Sequence, residues 1–251
     1  MKLLLPPSES KSDGGSGRFA VGRLSRPALN RARSTVLDAL VRLAEDPAEA
    51  ARVLHLGPKQ AGEIERNAHL RRAPVLPAVQ RYTGVVYDAL DAATLPAPAR
   101  AWLDEHLLIA SALFGLLGPE DPIPAYRLSG GTALPGLSLK RHWAEPIRRA
   151  LVRERDFILD ARSAAYVALG PGPAGSVVLH VEDAASGRAL NHFNKHAKGD
   201  LARRLALAAP DLRSRNDLLD WAPGAGLRLE PRGASDVVLT VDQAEPAAGR
   251  H

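Results

Sequence analysis

Prolines and glycines divide this chain into short segments, and this division constrains the fold more than any other feature. The 251 residues include 20 prolines and 21 glycines. Pro6-Pro7 ends the apolar segment Lys2–Leu5. Asp46-Pro47 and Pro58 each stand where a helix is expected to begin. With no repeat, no long linker and no apolar run near the ~20 residues of a membrane span, the sequence predicts many short elements in one domain.

The segments between these breaks have both strand-like and helix-like patterns. Strands are predicted at Lys2–Leu5, Leu107–Leu117, Phe157–Asp160, Tyr166–Leu169, Ser176–Val181, Leu227–Leu229 and Val237–Val241. Helices are predicted within Pro27–Leu70, at Pro98–His106, at Leu139–Arg155 and at Leu201–Ala208. The mixture predicts a mixed α/β (α+β) fold, with a single compact domain over residues 1–243 and a flexible tail at residues 244–251.

The composition excludes several classes of function and leaves one question open. The chain has no cysteine, which excludes disulfide scaffolds, thiolate metal centres and cysteine nucleophiles. Its 33 Lys+Arg against 28 Asp+Glu give a net charge of +5. This excess of positive charge is expected of a protein that binds a polyanion. A genome whose base composition favours arginine codons would produce the same excess. The six lysines, at positions 2, 11, 59, 140, 195 and 198, therefore carry more information than the arginines.

The segment Val53–Ile64 has the spacing of the second half of a helix-hairpin-helix, within a predicted hairpin at about residues 47–68. Gly57 would allow a tight hairpin, and Pro58 would begin a helix whose free amides face outward. Such amides, together with Lys59, would bind a nucleic-acid phosphate. An ordinary pair of helices joined at a glycine explains the same residues.

Two further stretches combine cations with polar groups. Ser8 and Lys11 have the S-x-x-K spacing of a lysine-activated serine, but the partner motifs of such enzymes are absent, and the loop that follows is either a phosphate cradle or simply solvated. Lys195, Lys198 and Arg203 share a predicted helix and favour a phosphate-binding face. His192 and His196 have a metal-ligand spacing but are surrounded by cations, so we expect no metal and no cofactor.

The block Ser111–Leu128 ends in Tyr126-Arg127, a pair that offers stacking and a bidentate anion fork. With the other motifs, this block resembles the YaaA family, the peroxide-stress proteins. The resemblance covers nearly the whole chain, in an ordered series: Leu4–Asp13, Tyr82–Tyr87, Ser111–Gly115, Pro119–Asp121, Pro124–Leu128, Trp143, Asp160 with Ser163 and Tyr166, and Lys195–Gly199.

The resemblance implies a fold particular to this family, with a helix-hairpin-helix and a positively charged cleft, in a DNA-binding protein that limits oxidative damage. Carried onto this chain, it assigns Gly57, Pro58 and Lys59 to the hairpin and Lys11, Arg127, Lys195 and Lys198 to the cleft. His55 stands where the first hairpin glycine of the family is usual. Because the chain lacks cysteine, any protection has to come from what it binds rather than from a thiol.

Two hypotheses follow. The first is a cytoplasmic, monomeric protein without membrane contact that binds DNA, duplex or distorted, through its backbone and without strong sequence specificity. The alternative is an enzyme acting on a nucleotide or nucleoside-like, phosphate-bearing small molecule in a cleft lined by Lys11, Arg127, Asp160 and Lys195. The catalytic candidates would then be Lys11, Asp160, Tyr166 and Lys195, and the pocket candidates Ser8, Tyr87, Ser111, Tyr126 and Ser163.

Overall fold

A seven-stranded sheet organises the computed structural model, which describes residues 1–184 and 191–241. In spatial order its strands are β4 (Gly115–Leu117), β3 (Leu107–Ser111), β1 (Lys2–Leu5), β6 (Ile158–Asp160), β7 (Val177–Asp183), β9 (Asp236–Val241) and β8 (Arg228–Arg232). The five inner strands are parallel, and only the pairs β3–β4 and β8–β9 are antiparallel. The sheet is therefore mostly parallel, with an antiparallel strand at each edge.

The strand β1 lies at the centre of this sheet. Leu4 is opposite Leu108 on one side and Asp160 on the other. Leu3, Leu4 and Leu5 are completely buried, as expected of a central parallel strand that is covered on both faces. Pro6 and Pro7 end the strand because proline lacks the backbone N–H that a further ladder bond needs.

Ten α-helices surround the sheet in the described residues, and a two-stranded ribbon of β2 (Leu76–Pro77) and β5 (Pro122–Ile123) lies outside it. The helices are α1 (Asn30–Leu43), α2 (Pro47–Leu54), α3 (Ala61–Ala68), α4 (Ala78–Arg81), α5 (Val85–Leu90), α6 (Ala97–His106), α7 (Leu139–Arg153), α8 (Ala164–Val167), α9 (Asn191–Ala208) and α10 (Arg215–Trp221). The predicted mixed α/β class is confirmed, in one compact domain.

The predicted single strand at Leu107–Leu117 is wrong, because a turn divides it into β3 and β4. Ser111 Oγ accepts a hydrogen bond of 3.0 Å from the Phe114 amide and closes that turn. Gly115 then adopts φ = 74°, and a Cβ at this position would lie 2.7 Å from the Trp143 ring. Every residue of the turn is apolar and buried, so composition gave no sign of it.

The predicted strand at Tyr166–Leu169 is also wrong, because these residues follow the start of the short helix α8. The Ser163 carbonyl accepts hydrogen bonds from the amides of Tyr166 and Val167. Apolar runs this short do not distinguish a helix from a strand by periodicity. The predicted tail, residues 244–251, lies outside the described residues. In the two described ranges, no helix combines the length and the apolar character that a membrane crossing requires.

Candidate functional site

A cavity of about 1210 Å³ opens at the carboxyl ends of the parallel strands. Its wall includes the loop after β1, from Pro6 to Ser10, and the loop after β6 with α8, from Arg162 to Ala168. Because β6 ends at Asp160 opposite Val178, the rest of β7 runs past it and forms a third side. The remaining lining residues come from α5, from the segment Ser129–Gly131 and from α9.

The strand order explains why a cavity forms here. The chain passes from β1 to β3 on one side and later returns across β1 to place β6 on the other. In open α/β sheets the loops after two such strands diverge and leave a crevice, which is the usual place for a ligand. The cavity therefore occupies the position where this type of sheet binds its ligands.

An ion pair between Asp160 and Arg162 forms the floor beside β6. The Arg162 guanidinium donates to both Asp160 carboxylate oxygens, at 2.8 and 2.6 Å, and the Arg162 amide donates to Oδ1 at 3.1 Å. The side chains are 0% and 2% exposed. Since buried charges need both a partner and hydrogen bonds, the two groups satisfy each other and fix the loop after β6.

Helix α9 brings Lys195 and Lys198 to the opposite wall. The next residue, Gly199, lets α9 approach α5 closely, because a Cβ there would lie 2.1 Å from the Val86 carbonyl oxygen. Lys195 is exposed, whereas Lys198 is only 7% exposed. Burial lowers the pKa of Lys198 to about 8, and the charge of Asp160 limits this decrease.

The acidic side chains of the cavity wall, Glu9 and Glu182, each have an arginine partner. Glu9 accepts from Arg127 at 2.7 Å, and Glu182 accepts from Arg232 at 2.5 Å. Asp160 is engaged by Arg162 as described. Within the two described ranges, by contrast, neither Lys195 nor Lys198 makes an ion pair or a side-chain hydrogen bond. The cavity therefore has two cations available to a negatively charged ligand.

Lys11 and Arg127 lie behind the loop Ser8–Ser10 rather than on the cavity wall. Lys11 Nζ donates to the carbonyls of Ser8 and Glu9, both at 3.0 Å, and lies 4.2 Å from the centre of the Tyr126 ring. Burial, together with the charge of Arg127, lowers the pKa of Lys11 to about 7. These contacts shape the loop after β1, so Lys11 supports the cavity from behind.

Three of the predicted pocket residues are buried below the site. Tyr126 Oη hydrogen-bonds with Ser111 Oγ at 2.8 Å and with Tyr82 Oη at 2.7 Å, and Tyr87 Oη donates to the Pro6 carbonyl at 2.9 Å. Burial raises the pKa of both Tyr126 and Tyr87 far above the ordinary value, so these phenols stay protonated. They form a rigid, neutral support for the two loops.

The structure thus brings together part of the predicted set. The cavity wall contains Ser8, Ser163, Tyr166, Lys195 and Lys198. Asp160 lies at its floor through Arg162, and Lys11 and Arg127 adjoin it through Glu9. Arg203 lies elsewhere, where its guanidinium donates to the carbonyls of Leu90 at 3.0 Å and Asp91 at 2.9 Å.

Gly57, Pro58 and Lys59 lie outside the cavity, between α2 and α3. The left-handed residue of this connection is His55, with φ = 53°, whereas Gly57 has an extended conformation with φ = −79°. The conformational freedom expected at Gly57 is therefore not used. Its amide is also occupied, since Gln60 Oε1 accepts from it at 3.1 Å. Lys59 itself is exposed.

The connection reaches the cavity through α3. Asn67 is buried, accepts from the Arg127 amide at 2.9 Å and donates to the Arg127 carbonyl at 2.8 Å. Arg127 then holds Glu9 on the cavity wall. Direct contacts thus run from Asn67, near the end of α3, through Arg127 to the cavity wall.

Sequence reasoning missed Arg162, Glu9 and Gly199. The two-residue interval between Asp160 and Arg162 was the available signal for the buried pair, and the single glycine within a helical pattern was the signal for the close contact of α9. In the described part of the chain, no three His, Asp or Glu side chains gather into a group able to hold a metal ion. The side chain of His192 is outside that part.

Comparison with known proteins identifies the family. Residues 1–231 match the family described as "Peroxide stress protein YaaA". A UPF0246 protein of Corynebacterium glutamicum is 43% identical over 250 residues, which cover 96% of this chain and 99% of the relative. One from Streptomyces coelicolor is 42% identical over 214 residues, 82% of each chain. The resemblance seen in the motifs is confirmed over nearly the full length: the chain belongs to the YaaA family of peroxide stress proteins.

Proposed function

We propose that this protein binds DNA through its backbone phosphates and thereby limits oxidative damage to that DNA. The observation that carries the proposal is the charge distribution of the cavity. Its carboxylates are engaged by other side chains, while Lys195 and Lys198 have no such partner among the described residues. An electrostatically attractive cavity of this kind favours phosphate oxygens.

Hydrogen bonds from Asn67 in α3 through Arg127 to Glu9 tie the helix that follows Lys59 to the cavity wall, which supports a binding surface larger than the cavity itself. We propose that Gly57, Pro58 and Lys59 contact one stretch of backbone and that Lys195 and Lys198 form a basic cleft for the next, while Lys11 and Arg127 shape the wall of that cleft through the loop Ser8–Ser10. Arg203 contributes mainly by anchoring α9, because its donors are directed to backbone carbonyls.

Binding of this type is insensitive to sequence. Contacts to phosphates carry no direct sequence information, whereas discrimination between bases requires side chains at the base edges. Affinity should fall linearly with the logarithm of salt concentration, because each neutralised phosphate releases counterions. Since the chain has no cysteine, protection would come from occupancy of the DNA and not from a thiol reaction.

Fluorescence anisotropy with a labelled random duplex tests the proposal. Lys195→Glu and Lys59→Glu should each weaken binding at low salt and lower the salt slope by about one. Lys140→Glu is a matched control, because Lys140 is an exposed helical lysine that neither lines the cavity nor belongs to the α2–α3 connection. The proposal fails if both test variants bind the duplex as tightly as the unmodified protein at low salt.

The position of the cavity favours a second candidate, an enzyme that acts on a nucleotide or nucleoside-like small molecule. Crevices at the carboxyl ends of parallel strands commonly hold such ligands. In this case Lys195 would bind phosphate, Tyr166 would be a proton donor, and Asp160 and Lys11 would act through Arg162 and the loop Ser8–Ser10.

Thermal unfolding with single nucleotides separates the two candidates. A nucleotide bound in the cavity at 100 times its dissociation constant stabilises the fold by about 2.7 kcal/mol. Stabilisation by a nucleoside monophosphate that Lys195→Glu abolishes, with weak duplex binding, would favour the enzyme. Tight duplex binding without stabilisation by any single nucleotide would favour the DNA-binding protein.

A further inference from the structure

We propose that Lys198 is an amine nucleophile that condenses, in the cavity, with the aldehyde of a small sugar unit carrying a phosphate group. The product is an imine between Nζ and the aldehyde carbon. The proposal goes beyond DNA binding, because an aldehyde of this class occurs both free and within nucleic acid that has lost a base. The proposed condensation depends on the cavity and does not require binding of a DNA duplex.

The first support is the placement of the amine. Lys198 is 93% buried, its side chain lines the cavity, and it makes no hydrogen bond or ion pair to a described residue. Its carboxylate neighbour, Asp160, has both oxygens engaged by Arg162 and is not free to form an ion pair with it. A buried, unpartnered amine that faces a cavity has its reactive atom available to a ligand.

The second support is the charge state. The charged group that acts on Lys198 is Asp160. The cavity that it lines also contains the side chains of Arg162, Lys195, Glu9, Glu182 and His180, while α5 presents Val86. Burial among these groups lowers the pKa of Lys198 to about 8. Roughly a quarter of the molecules therefore carry a neutral amine at pH 7.5. Desolvation of this kind activates lysine for imine formation.

The third support is the contrast with other lysines. Lys11 also has a lowered pKa, but two carbonyls and the Tyr126 ring already hold its ammonium. Lys195 is exposed and lies three residues before Lys198, so the two side chains share a helix face with Cβ atoms roughly 5–6 Å apart. This spacing suits a ligand whose phosphate and aldehyde are separated by a few bonds.

The chemistry is balanced without an additional reactant. The Nζ lone pair attacks the carbonyl carbon, a C–N bond forms, and the carbonyl oxygen takes a proton. The resulting carbinolamine loses that oxygen as water while the nitrogen lone pair completes the C=N bond. The net reaction consumes one amine and one aldehyde and releases one imine and one water. No electron is gained or lost, so no metal or oxidant is required.

Reductive trapping tests the proposal on the full chain. In one arm the protein is incubated with glyceraldehyde 3-phosphate, and in the other with a duplex containing one abasic site. Sodium cyanoborohydride then fixes any imine, and peptide mapping locates it. We expect an adduct at Lys198 whose rate of formation rises with pH through about 8. An adduct in only one arm identifies the source of the aldehyde, and either arm supports the proposal.

Three variants make the test specific. Lys198→Arg keeps a positive charge but lacks the nucleophile, and should reduce the adduct at least tenfold. Lys195→Met keeps the nucleophile and should require more glyceraldehyde 3-phosphate for the same yield, with little change for unphosphorylated glyceraldehyde. Lys140→Met, in α7, is the control for an exposed lysine that belongs to neither proposed DNA contact. Circular dichroism confirms that each variant is folded.

The proposal is overturned if no adduct forms at Lys198 in either arm. It is also overturned if labelling is spread over exposed lysines and is unchanged in Lys198→Arg. Because the glyceraldehyde 3-phosphate arm contains no nucleic acid, an adduct there stands even if duplex binding proves absent. Conversely, tight duplex binding without an adduct would leave the proposed function intact and exclude the imine.

Discussion

The cavity and the α2–α3 connection both contain cations, but they use them differently. In the two helices that flank the connection, Arg52 is paired with Glu49, and Arg66 with Glu63 and Asp13, whereas Lys59 between them is exposed to solvent. The Gly57 amide is likewise occupied by Gln60. In the cavity the carboxylates are occupied instead, and Lys195 and Lys198 have no described partner.

This difference shows that positive charge alone does not mark a binding site. Arginines that meet a carboxylate on the same or a neighbouring element mainly stabilise local structure, and exposed pairs contribute only about 0–1 kcal/mol each. A lysine that lines a cavity without an ionic partner is instead available to pair with a negatively charged ligand. The two regions should therefore respond differently to the loss of a charged partner.

The largest effect is expected from the ion pair at the cavity floor. Arg162→Met leaves the Asp160 carboxylate buried without a partner, and should lower the free energy of unfolding by about 3–5 kcal/mol. Arg66→Met in α3 should change it by less than about 1 kcal/mol, because that pair is partly exposed. Urea unfolding of both variants measures the comparison.

The double variant Asp160→Leu with Arg162→Met is the control for the buried pair. Replacing both partners by apolar side chains should recover most of the lost stability, because no charge is then left unpaired. Equal losses in Arg162→Met and Arg66→Met would show that the two regions do not differ in the way proposed here.

The next effect concerns the two helical glycines. Gly199→Ala places a Cβ 2.1 Å from the Val86 carbonyl oxygen, and should destabilise the fold by about 3 kcal/mol by forcing α9 away from α5. Gly62→Ala, in α3, meets no atom within 4 Å and should stabilise the fold by up to about 1 kcal/mol. Thermal unfolding of the two variants measures whether each substitution destabilises or stabilises the fold.

Gly199→Ala should also alter the site, since it displaces the helix that carries both lysines. We expect weaker duplex binding for Gly199→Ala and unchanged binding for Gly62→Ala in the same anisotropy assay. Duplex affinity that is indifferent to Gly199→Ala, in protein shown to be folded, would separate DNA binding from the cavity.

The pH dependence of stability distinguishes a buried lysine from an exposed one. The pKa of Lys198 is about 8 in the folded protein and 10.5 in the unfolded chain. Between these two pH values the unfolded chain therefore binds more protons than the folded protein. Stability therefore rises with pH in this range, and the penalty for burying the ammonium is fully present below pH 8. Relative to that of Lys198→Met, the free energy of unfolding of the unmodified protein should rise by about 2 kcal/mol between about pH 7 and pH 9.5.

Lys59→Met is the matched comparison, because Lys59 is exposed in the α2–α3 connection. Urea titrations at several pH values provide the measurement, and parallel curves for Lys198→Met and the unmodified protein would contradict the assigned burial.

The smallest effect is expected from Gln60→Ala, which releases the Gly57 amide. Loss of this cap should lower stability by about 1 kcal/mol. Duplex affinity should stay within twofold, because the Gln60 side chain is not among the proposed contacts of Gly57, Pro58 and Lys59. An increase in affinity would instead show that freed amides at this connection bind phosphate.

Much of the fold followed from local sequence signals. Pro6-Pro7 correctly marked the end of β1, and Asp46 caps α2 by accepting from the amides of Ala48 and Glu49 at 3.1 Å. The β3–β4 turn was missed because its signal is tertiary: Gly115 is required by the Trp143 ring, which lies far along the chain. Composition cannot reveal a turn that is apolar and buried throughout.

The site was predicted as a set of residues but not as an arrangement. The cations of α9 looked equivalent in sequence, yet Lys195 and Lys198 face the cavity, Arg203 binds the end of α5, and Arg204 pairs with Asp200. Which face of a helix is buried depends on the element it packs against, here α5 through Gly199. That partner is separated by about a hundred residues, beyond the reach of local patterns.

The central position of β1 has a consequence for how the protein folds. Leu4 pairs with Leu108 and Asp160, so β1 needs partner strands that are synthesised long after it. Contacts at such sequence separations slow folding because loops must close before they form. During synthesis, Leu3–Leu5 can pair with β3 once that strand has left the ribosome, but the other edge of β1 stays unpaired until β6 follows, and an unpaired apolar edge promotes aggregation of a nascent chain.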